Sequence, residues 1–398
     1  MKKATKTIAS ALLICLLATG CSSPKKNDVC DDLKLETVYN GKEISFLSDA
    51  AEEYLSATTE ENQAKALIEN VGEYGDRQSL NIRWERDGGK KYTVLLADNE
   101  KFENVAKYET TRRSVNVGGT LLPQKTYYYK VVGENKSSQT DKFVIKKPLR
   151  PINVDGAYNV RDLGGCAALN GKEVKYGLLY RGGRLNKEGN EPAITEEGKF
   201  VMKETLGIKT ELDLRFTDVD DGGQTKSVIG DTVKYVKAPC SQYALVLPSF
   251  KGYGVNKRRY VNGSAEAIKR IFGVLADESN YPVYFHCNAG ADRTGTIACL
   301  IQVVLGVNEE DMIKDFELTS FSVYGARYRG KIENFKFVNG VMQDNNDNFV
   351  ALGLFFSETV RLYGTEGDSF GAAAIKYLKT ACGVTDEEIG NVRKILLG

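Results

Sequence analysis

Histidine is almost missing from this 398-residue chain, with His286 the only one. No two of the eight cysteines stand at metal-ligand spacing either, so nothing in the sequence suggests a zinc site or any other metal. Tryptophan is equally scarce, represented by Trp84 alone. An excess of one charge is also lacking: 54 Lys and Arg against 53 Asp and Glu leave a formal net charge of +1, which argues against a nucleic-acid partner. The one long apolar run, residues 8–18, falls short of the roughly 20 residues a bilayer span requires. A last absence is local. Residues 232–265 contain no Asp or Glu, while Lys234, Lys237, Lys251, Lys257, Arg258 and Arg259 fall within them.

What is present is ordinary globular composition, 42% hydrophobic and 27% charged, over a length that suits two or three domains. Lys2, Lys3 and Lys6 precede the apolar run, which predicts a signal peptide over residues 1–20. The run ends Leu17-Ala-Thr-Gly-Cys21, which resembles a bacterial lipoprotein cleavage box with Ala18 where Leu is more usual. That resemblance implies that Cys21 carries lipid and anchors the chain outside the cytoplasm, on the cell envelope. Ordinary secretion is the alternative.

Residues 21–75 read as a polar tether followed by a weakly helical segment. From Ser79 the apolar period changes to two. Leu80, Ile82 and Trp84 alternate with polar residues, as do Tyr92, Val94 and Leu96, and later Tyr127, Tyr129 and Val131. Residues 76–147 are therefore expected to form a small all-β sandwich. Leu121-Leu-Pro-Gln-Lys-Thr-Tyr127 resembles the tyrosine corner of fibronectin type III domains, which implies a spacer or docking module.

Beyond Pro151, strands alternate with helices, which predicts an α/β domain over residues 150–398, a central sheet flanked by helices. Residues 265–276 show an amphipathic helix pattern, and Thr385 with Glu388 forms a capping box ahead of Ile389, Val392 and Ile395. The most informative stretch is residues 283–305. Val283-Tyr-Phe285 reads as a buried strand, residues 287–293 as a tight loop, and Ile297, Leu300, Ile301 and Val304 as a helix. A strand, a loop and a helix N-terminus in that order make an anion site, with loop amides and the positive end of the helix dipole facing the ligand. A cysteine opening such a loop is favoured as a thiolate. Arg293 closes it with a planar fork that suits two phosphate oxygens.

Cys287 and Arg293 alone would mean little, but His286, Gly290 and Thr294–Gly295 add independent constraints. The whole string resembles the active-site signature of the cysteine-dependent protein tyrosine phosphatase superfamily. Three further stretches, Asn159-Val-Arg-Asp-Leu-Gly-Gly165, Gly177-Leu-Leu-Tyr-Arg-Gly-Gly-Arg-Leu185 and Leu206-Gly-Ile-Lys-Thr-Glu-Leu-Asp-Leu-Arg215, resemble landmarks of a bacterial tyrosine phosphatase group with secreted and lipoprotein members.

The resemblance implies Cys287 as nucleophile, with the residues Asn288, Ala289, Gly290, Ala291 and Thr294 cradling the phosphoryl group beside Arg293. Thr294 would hydrogen-bond the cysteine sulfur, and His286 would orient the loop. Arg161 and Asp162 would support it, and Asp213 would hold Arg293. No cofactor is implied. Many tyrosine phosphatases take their acid from a Trp-Pro-Asp loop before the cysteine, and this chain has none. Asp292 is then the expected acid, with Asp218, Asp220 and Asp221 next in line and a loop brace as the other reading of Asp292. Phosphotyrosine in a protein is the expected substrate, with a phosphoinositide or phytate as alternative. Against the latter, Ala291 stands where phosphoinositide-cleaving members carry Lys. A surface binding module that reads phosphate without turnover is the remaining alternative.

Overall fold

A computed structural model describes residues 33–70, 79–85, 88–118, 121–147, 149–217, 220–248, 264–325, 327–329, 336–338, 341–343 and 347–398. Cys21, Asp218, Lys251 and the basic residues Lys257, Arg258 and Arg259 lie outside them. The chain divides into two compact units. One comprises the described residues of Met1–Phe46 and Arg77–Lys146, the other those of Leu47–Asp76 and Lys147–Gly398.

The smaller unit holds strands β1 (Glu43–Ile44), β2 (Ser79–Arg83), β3 (Tyr92–Ala97), β4 (Ala106–Thr110), β5 (Ser114–Gly118), β6 (Thr126–Val132) and β7 (Asp141–Ile145). Five of them form a sheet in the order β1-β7-β6-β3-β4, and β2 pairs with β5. The period of two is realised directly: Leu80 and Ile82 of β2 and Tyr127, Tyr129 and Val131 of β6 are buried in one core with Trp84, Phe143 and Ile145. The Tyr127 hydroxyl accepts a hydrogen bond from the Leu122 amide at 2.8 Å. Leu33 and Phe46 join the same core, and β1 runs parallel to β7. The smaller unit thus reaches further towards the N-terminus than residue 76, because two residues of strand pairing leave almost no periodicity to read.

The larger unit begins with α1 (Asp49–Ser56) and α2 (Glu60–Glu69), whose first turns are capped by Ser48 and Thr59. These helices come from the segment that the sequence sets apart from both domains. The chain then returns through β8 (Arg150–Pro151), β9 (Arg161–Asp162), β10 (Leu179–Gly182), α3 (Glu196–Phe200), β11 (Thr210–Asp213) and β12 (Lys234–Lys237). It continues through α4 (Ala265–Leu275), β13 (Val283–His286), α5 (Asp292–Leu305), α6 (Glu309–Glu317), the hairpin β14 (Lys336–Val338) and β15 (Val341–Gln343), α7 (Asp347–Tyr363), α8 (Phe370–Thr380) and α9 (Asp386–Leu397).

The main sheet has the order β12-β11-β13-β10-β9-β8, with β10, β13, β11 and β12 mutually parallel. One face packs Phe285 against Ile268, Phe272, Ile297, Ile301, Leu378 and Val392, and the other packs Tyr284 and Tyr180 against Val160, Met202 and Ile208. Both faces are covered, which is why β13 reads as an unbroken apolar run. Burying side chains of this size contributes about 1.5–3 kcal/mol each. Cys299 is ordinary core on α5, its thiol pushed up to about 12 by burial. The parallel register sets Gly182, His286, Asp213 and Lys237 level with one another, at the carboxyl ends of the strands. In open α/β sheets that edge is where ligands bind. Among the described residues, no helix is long and apolar enough to cross a membrane.

Candidate active site

The loop between β13 and α5 is held with its carbonyls turned to the protein. Asn159 Nδ2 donates to the Ala289 and Gly290 carbonyls at 3.1 and 3.2 Å, and Arg181 Nη2 to the Gly290 carbonyl at 2.7 Å. The Arg184 amide takes the Asn288 carbonyl at 2.9 Å. With those oxygens occupied, the amides face the other way. Among the described residues, no backbone N–H from Asn288 to Arg293 donates to a protein acceptor. Nor does any side chain cap α5, which begins after Ala291. Orphan amides at a helix N-terminus are an anion site.

Glycine makes the close packing achievable. Gly290 has φ +67°, and a Cβ there would sit 2.3 Å from the Gly182 carbonyl carbon. At Gly182 a Cβ would meet the Tyr284 hydroxyl at 2.4 Å. The Gly182–Gly183 pair is therefore the floor on which the loop rests, rather than a turn.

Cys287 opens the loop at the end of β13 and is 3% exposed. Arg293 closes it, and its Nη1 lies 2.5 Å from Asp220 Oδ2. Burial works against the Arg293 charge, but Cys287 and Asp220 outweigh it and raise its pKa. The same Asp220 oxygen accepts from Asn288 Nδ2 at 3.3 Å, while Oδ1 accepts from the Phe216 amide at 2.8 Å. Asp221 is turned away, paired with Lys237.

Asp292 lies at the loop, but its carboxylate is already engaged. Arg327 Nε donates to Oδ1 at 2.8 Å and Nη2 to Oδ2 at 3.1 Å, and the Tyr243 hydroxyl donates to Oδ1 at 2.5 Å. Burial, then Asp292, holds the Tyr243 hydroxyl well above its ordinary range, so it stays a donor.

Three residues, Asp213 and Asp162 of the support and Thr294 of the cradle, differ from expectation. Asp213 does not hold Arg293. It accepts from Arg215 Nε and Nη2 at 2.9 and 2.8 Å, from the Tyr235 hydroxyl at 2.7 Å and from Lys237 at 3.0 Å. A partner two residues along the same strand end reaches it before the loop does. Burial opposes the charge of Asp213, but His286, Arg215 and Lys237 outweigh it and keep the carboxyl below the usual range. Asp162 braces a turn, accepting from the Gly164 and Gly177 amides at 2.9 and 2.7 Å and from Arg150 at 3.0 Å. Burial dominates these contacts and raises its pKa. Thr294 Oγ1 is buried without a hydrogen-bond partner among the described residues, so the contact expected with the Cys287 sulfur is not made.

Arg161 acts at one remove: its Nη1 donates to Asn159 Oδ1 at 2.6 Å and its Nε to Asp315 Oδ1 at 2.8 Å. Asp315 also pairs with Arg181, so one buried carboxylate orders both donors that grip the loop. His286 is fully buried, with Nδ1 3.1 Å from the Cys287 carbonyl and Nε2 3.1 Å from Glu211 Oε1. Both ring nitrogens are thus occupied by orienting contacts. Asn159, Arg181, Asp315, Glu211, Tyr243 and Arg327 were not expected from the sequence. Asn159 and Arg181 lie in the glycine-flanked stretches and could have been suspected, whereas Tyr243 and Arg327 carry no local signal.

No cluster of His, Cys, Asp or Glu among the described residues is placed to hold a metal. The described cysteines, Cys166, Cys240, Cys287, Cys299 and Cys382, are all unpaired.

A putative tyrosine-protein phosphatase of Cupriavidus necator is 27% identical over 179 residues, 41% of this chain and 60% of that protein. The triple specificity protein phosphatase PtpB of Mycobacterium tuberculosis is 27% identical over 131 residues, 33% of this chain and 42% of its own length. The chain thus spans 60% or less of these curated relatives. Among solved structures, the core catalytic domain of the PP-IP phosphatase SIW14 from S. cerevisiae shares 17% identity over 36% of this chain and 71% of that one, at a TM-score of 0.24. That likeness is too slight to bear on the fold. Residues 152–398, more than half of the chain and all of the segment that builds the loop, match the model of the tyrosine phosphatase family, and the protein belongs to that family.

Proposed function

We propose that this protein hydrolyses phosphomonoesters, phosphotyrosine in proteins foremost, through a cysteinyl-phosphate intermediate. The observation that carries the reading is the row of unpartnered amides at residues 288–293, framed by Cys287 and Arg293. Such a row stabilises charge that develops on three equatorial oxygens, the main requirement of phosphoryl transfer. The Cys287 thiolate attacks phosphorus and the bond to the leaving oxygen breaks. Water then attacks the phosphocysteine, the S–P bond breaks, and inorganic phosphate leaves with the thiolate restored.

The leaving oxygen needs a proton, and the contacts favour Asp220 over Asp292 as its source. Arg327 and Tyr243 both donate to Asp292, so both of its oxygens are already engaged as acceptors. Asp220 occupies the guanidinium edge of Arg293, the place a substrate phosphate would take. A dianionic phosphate displaces it from that edge, which frees its carboxyl group to serve as the acid. Asp220 then gives its proton to the leaving oxygen and recovers one from the attacking water. Asp292 serves as a brace for the loop.

Two further proposals concern the rest of the chain. The contact between Tyr127 and Leu122, beside a core shared by two sheets, supports a fibronectin type III-like module. The apolar run ending at Cys21 supports lipid anchoring outside the cytoplasm.

The test is turnover of p-nitrophenyl phosphate and of a phosphotyrosyl peptide by the full chain. The expected rates are unchanged by EDTA, since a thiol mechanism draws on no metal. A loss restored by a divalent ion would contradict that mechanism, and phosphate binding without turnover would leave a binding module. Arg293→Lys is expected to lower kcat/KM on the order of tenfold, because an ammonium keeps the charge and loses the bidentate geometry. An undiminished value would remove Arg293 from the phosphate.

A further inference from the structure

Helices α1 and α2 precede the segment matched by the family model, yet they reach into its machinery. Tyr54 on α1 is fully buried and its hydroxyl donates to Glu317 Oε2 at 2.6 Å. Glu317, itself fully buried at the end of α6, accepts from the Arg329 amide at 2.7 Å, from Nε at 3.1 Å and from Nη2 at 3.0 Å. Arg329 turns its remaining donors to α2, with Nη2 2.5 Å from Gln63 Oε1 and Nη1 3.3 Å from Glu60 Oε1. Around this polar knot, Ala51, Ala66 and Leu67 pack on Leu318 and Phe321.

The clamped stretch is the one that grips the loop. Two residues before Arg329, the Arg327 fork takes both oxygens of Asp292, and its own amide is fixed by Ser320 Oγ at 2.9 Å. Tyr324 donates to the Asn288 carbonyl at 3.4 Å. Arg329, Arg327 and Asp292 thus lie in series, from the helix pair to the first residue of α5. An exposed arginine next to a loop would lose several rotatable bonds of freedom to make that fork, whereas one held two residues away starts nearly ordered.

We propose that α1 and α2 form a positioning element for the active loop, acting through Arg329 and Arg327 on Asp292, with Tyr54 and Gln63 as its positioning residues. The phosphate site is therefore set partly by a segment that enters the unit before the chain has built the smaller β unit. The proposal rests on the phosphatase reading for its role in turnover, but oxyanion affinity reads it independently.

The experiment is a pair of double-mutant cycles in the full chain. Tyr54→Phe and Gln63→Leu are each combined with Arg327→Ala, and tungstate affinity and kcat for p-nitrophenyl phosphate are measured beside Tm. Each clamp variant is expected to weaken tungstate and lower kcat about fivefold where Arg327 is intact, with little further effect where Arg327 is Ala. A merely structural role would lower Tm and leave both quantities unchanged, or give effects that multiply across the cycle. Either result overturns the proposal. Tungstate binding by a wild-type chain that lacks turnover would reject the phosphatase reading while the cycle is still read by affinity. A wild-type chain that bound no tungstate would overturn both.

Discussion

Cys287→Ser is expected to abolish turnover, with kcat reduced by at least about ten-thousandfold, while oxyanion binding persists. A serine hydroxyl at neutral pH is protonated and a far weaker nucleophile than a thiolate. The cradle does not depend on the sulfur, since its carbonyls are tied by Asn159, Arg181 and Arg184. Tungstate or a phosphopeptide should therefore bind the variant within about threefold of wild type, a tolerance below the tenfold that 1.4 kcal/mol represents. No neighbouring thiol can substitute, because Cys240 is fully buried and its thiol is pushed up to about 12. Single-turnover assays with a phosphotyrosyl peptide and calorimetry with tungstate check the two halves separately. Activity within tenfold of wild type would remove Cys287 from the mechanism, and loss of tungstate binding as well would mean that the loop itself had collapsed.

Asp220→Asn carries the second large effect. As proton donor, Asp220 should be needed most when the leaving group is a poor one. Its loss is expected to lower kcat about a hundredfold for tyrosyl or alkyl phosphates, and much less for an aryl ester whose phenol is strongly acidic. Asp292→Asn should behave differently. An amide cannot accept from Arg327 and Tyr243 as a carboxylate does, so the loop is disturbed for every substrate alike and oxyanion affinity falls with the rate. Plotting kcat/KM against leaving-group pKa for wild type and both variants separates these roles. A steepened slope for Asp220→Asn and a parallel line for Asp292→Asn is the expected result. The reverse would return the proton transfer to Asp292 and make Asp220 a placeholder for the phosphate.

The contrast between these carboxylates shows which features were legible in the sequence. The loop is one contiguous string, so Cys287, Gly290 and Arg293 carry their geometry with them. The glycine stretches around Gly182 were legible as landmarks, though not as the surface on which Gly290 rests. Partners drawn from distant segments were not legible. Arg327 lies 35 residues from Asp292 and Tyr243 lies 49, on stretches without periodicity. Asp213 misled for a physical reason: its backbone is level with His286, but its side chain is taken by Arg215, a competitor two residues away. The fold class needed only hydrophobic patterning, which both faces of the main sheet preserve. The two N-terminal helices read as weak because they bury short faces, centred on Tyr54 and Leu67, and draw much of their anchoring from polar groups.

The interleaving of the two units has a consequence for how the chain is made. Tyr54 and Glu317 are 263 positions apart, so the helix pair emerges into its folding compartment long before the segment it must grip. In that interval the smaller β unit can complete its own core, since all its strands lie before residue 147. Leu67 and Tyr54 have nothing of comparable permanence to bury against until the last quarter of the chain emerges. Docking of the helix pair is therefore a late event of folding, and a chain that ends before residue 317 should present an apolar helical surface that holdase chaperones recognise.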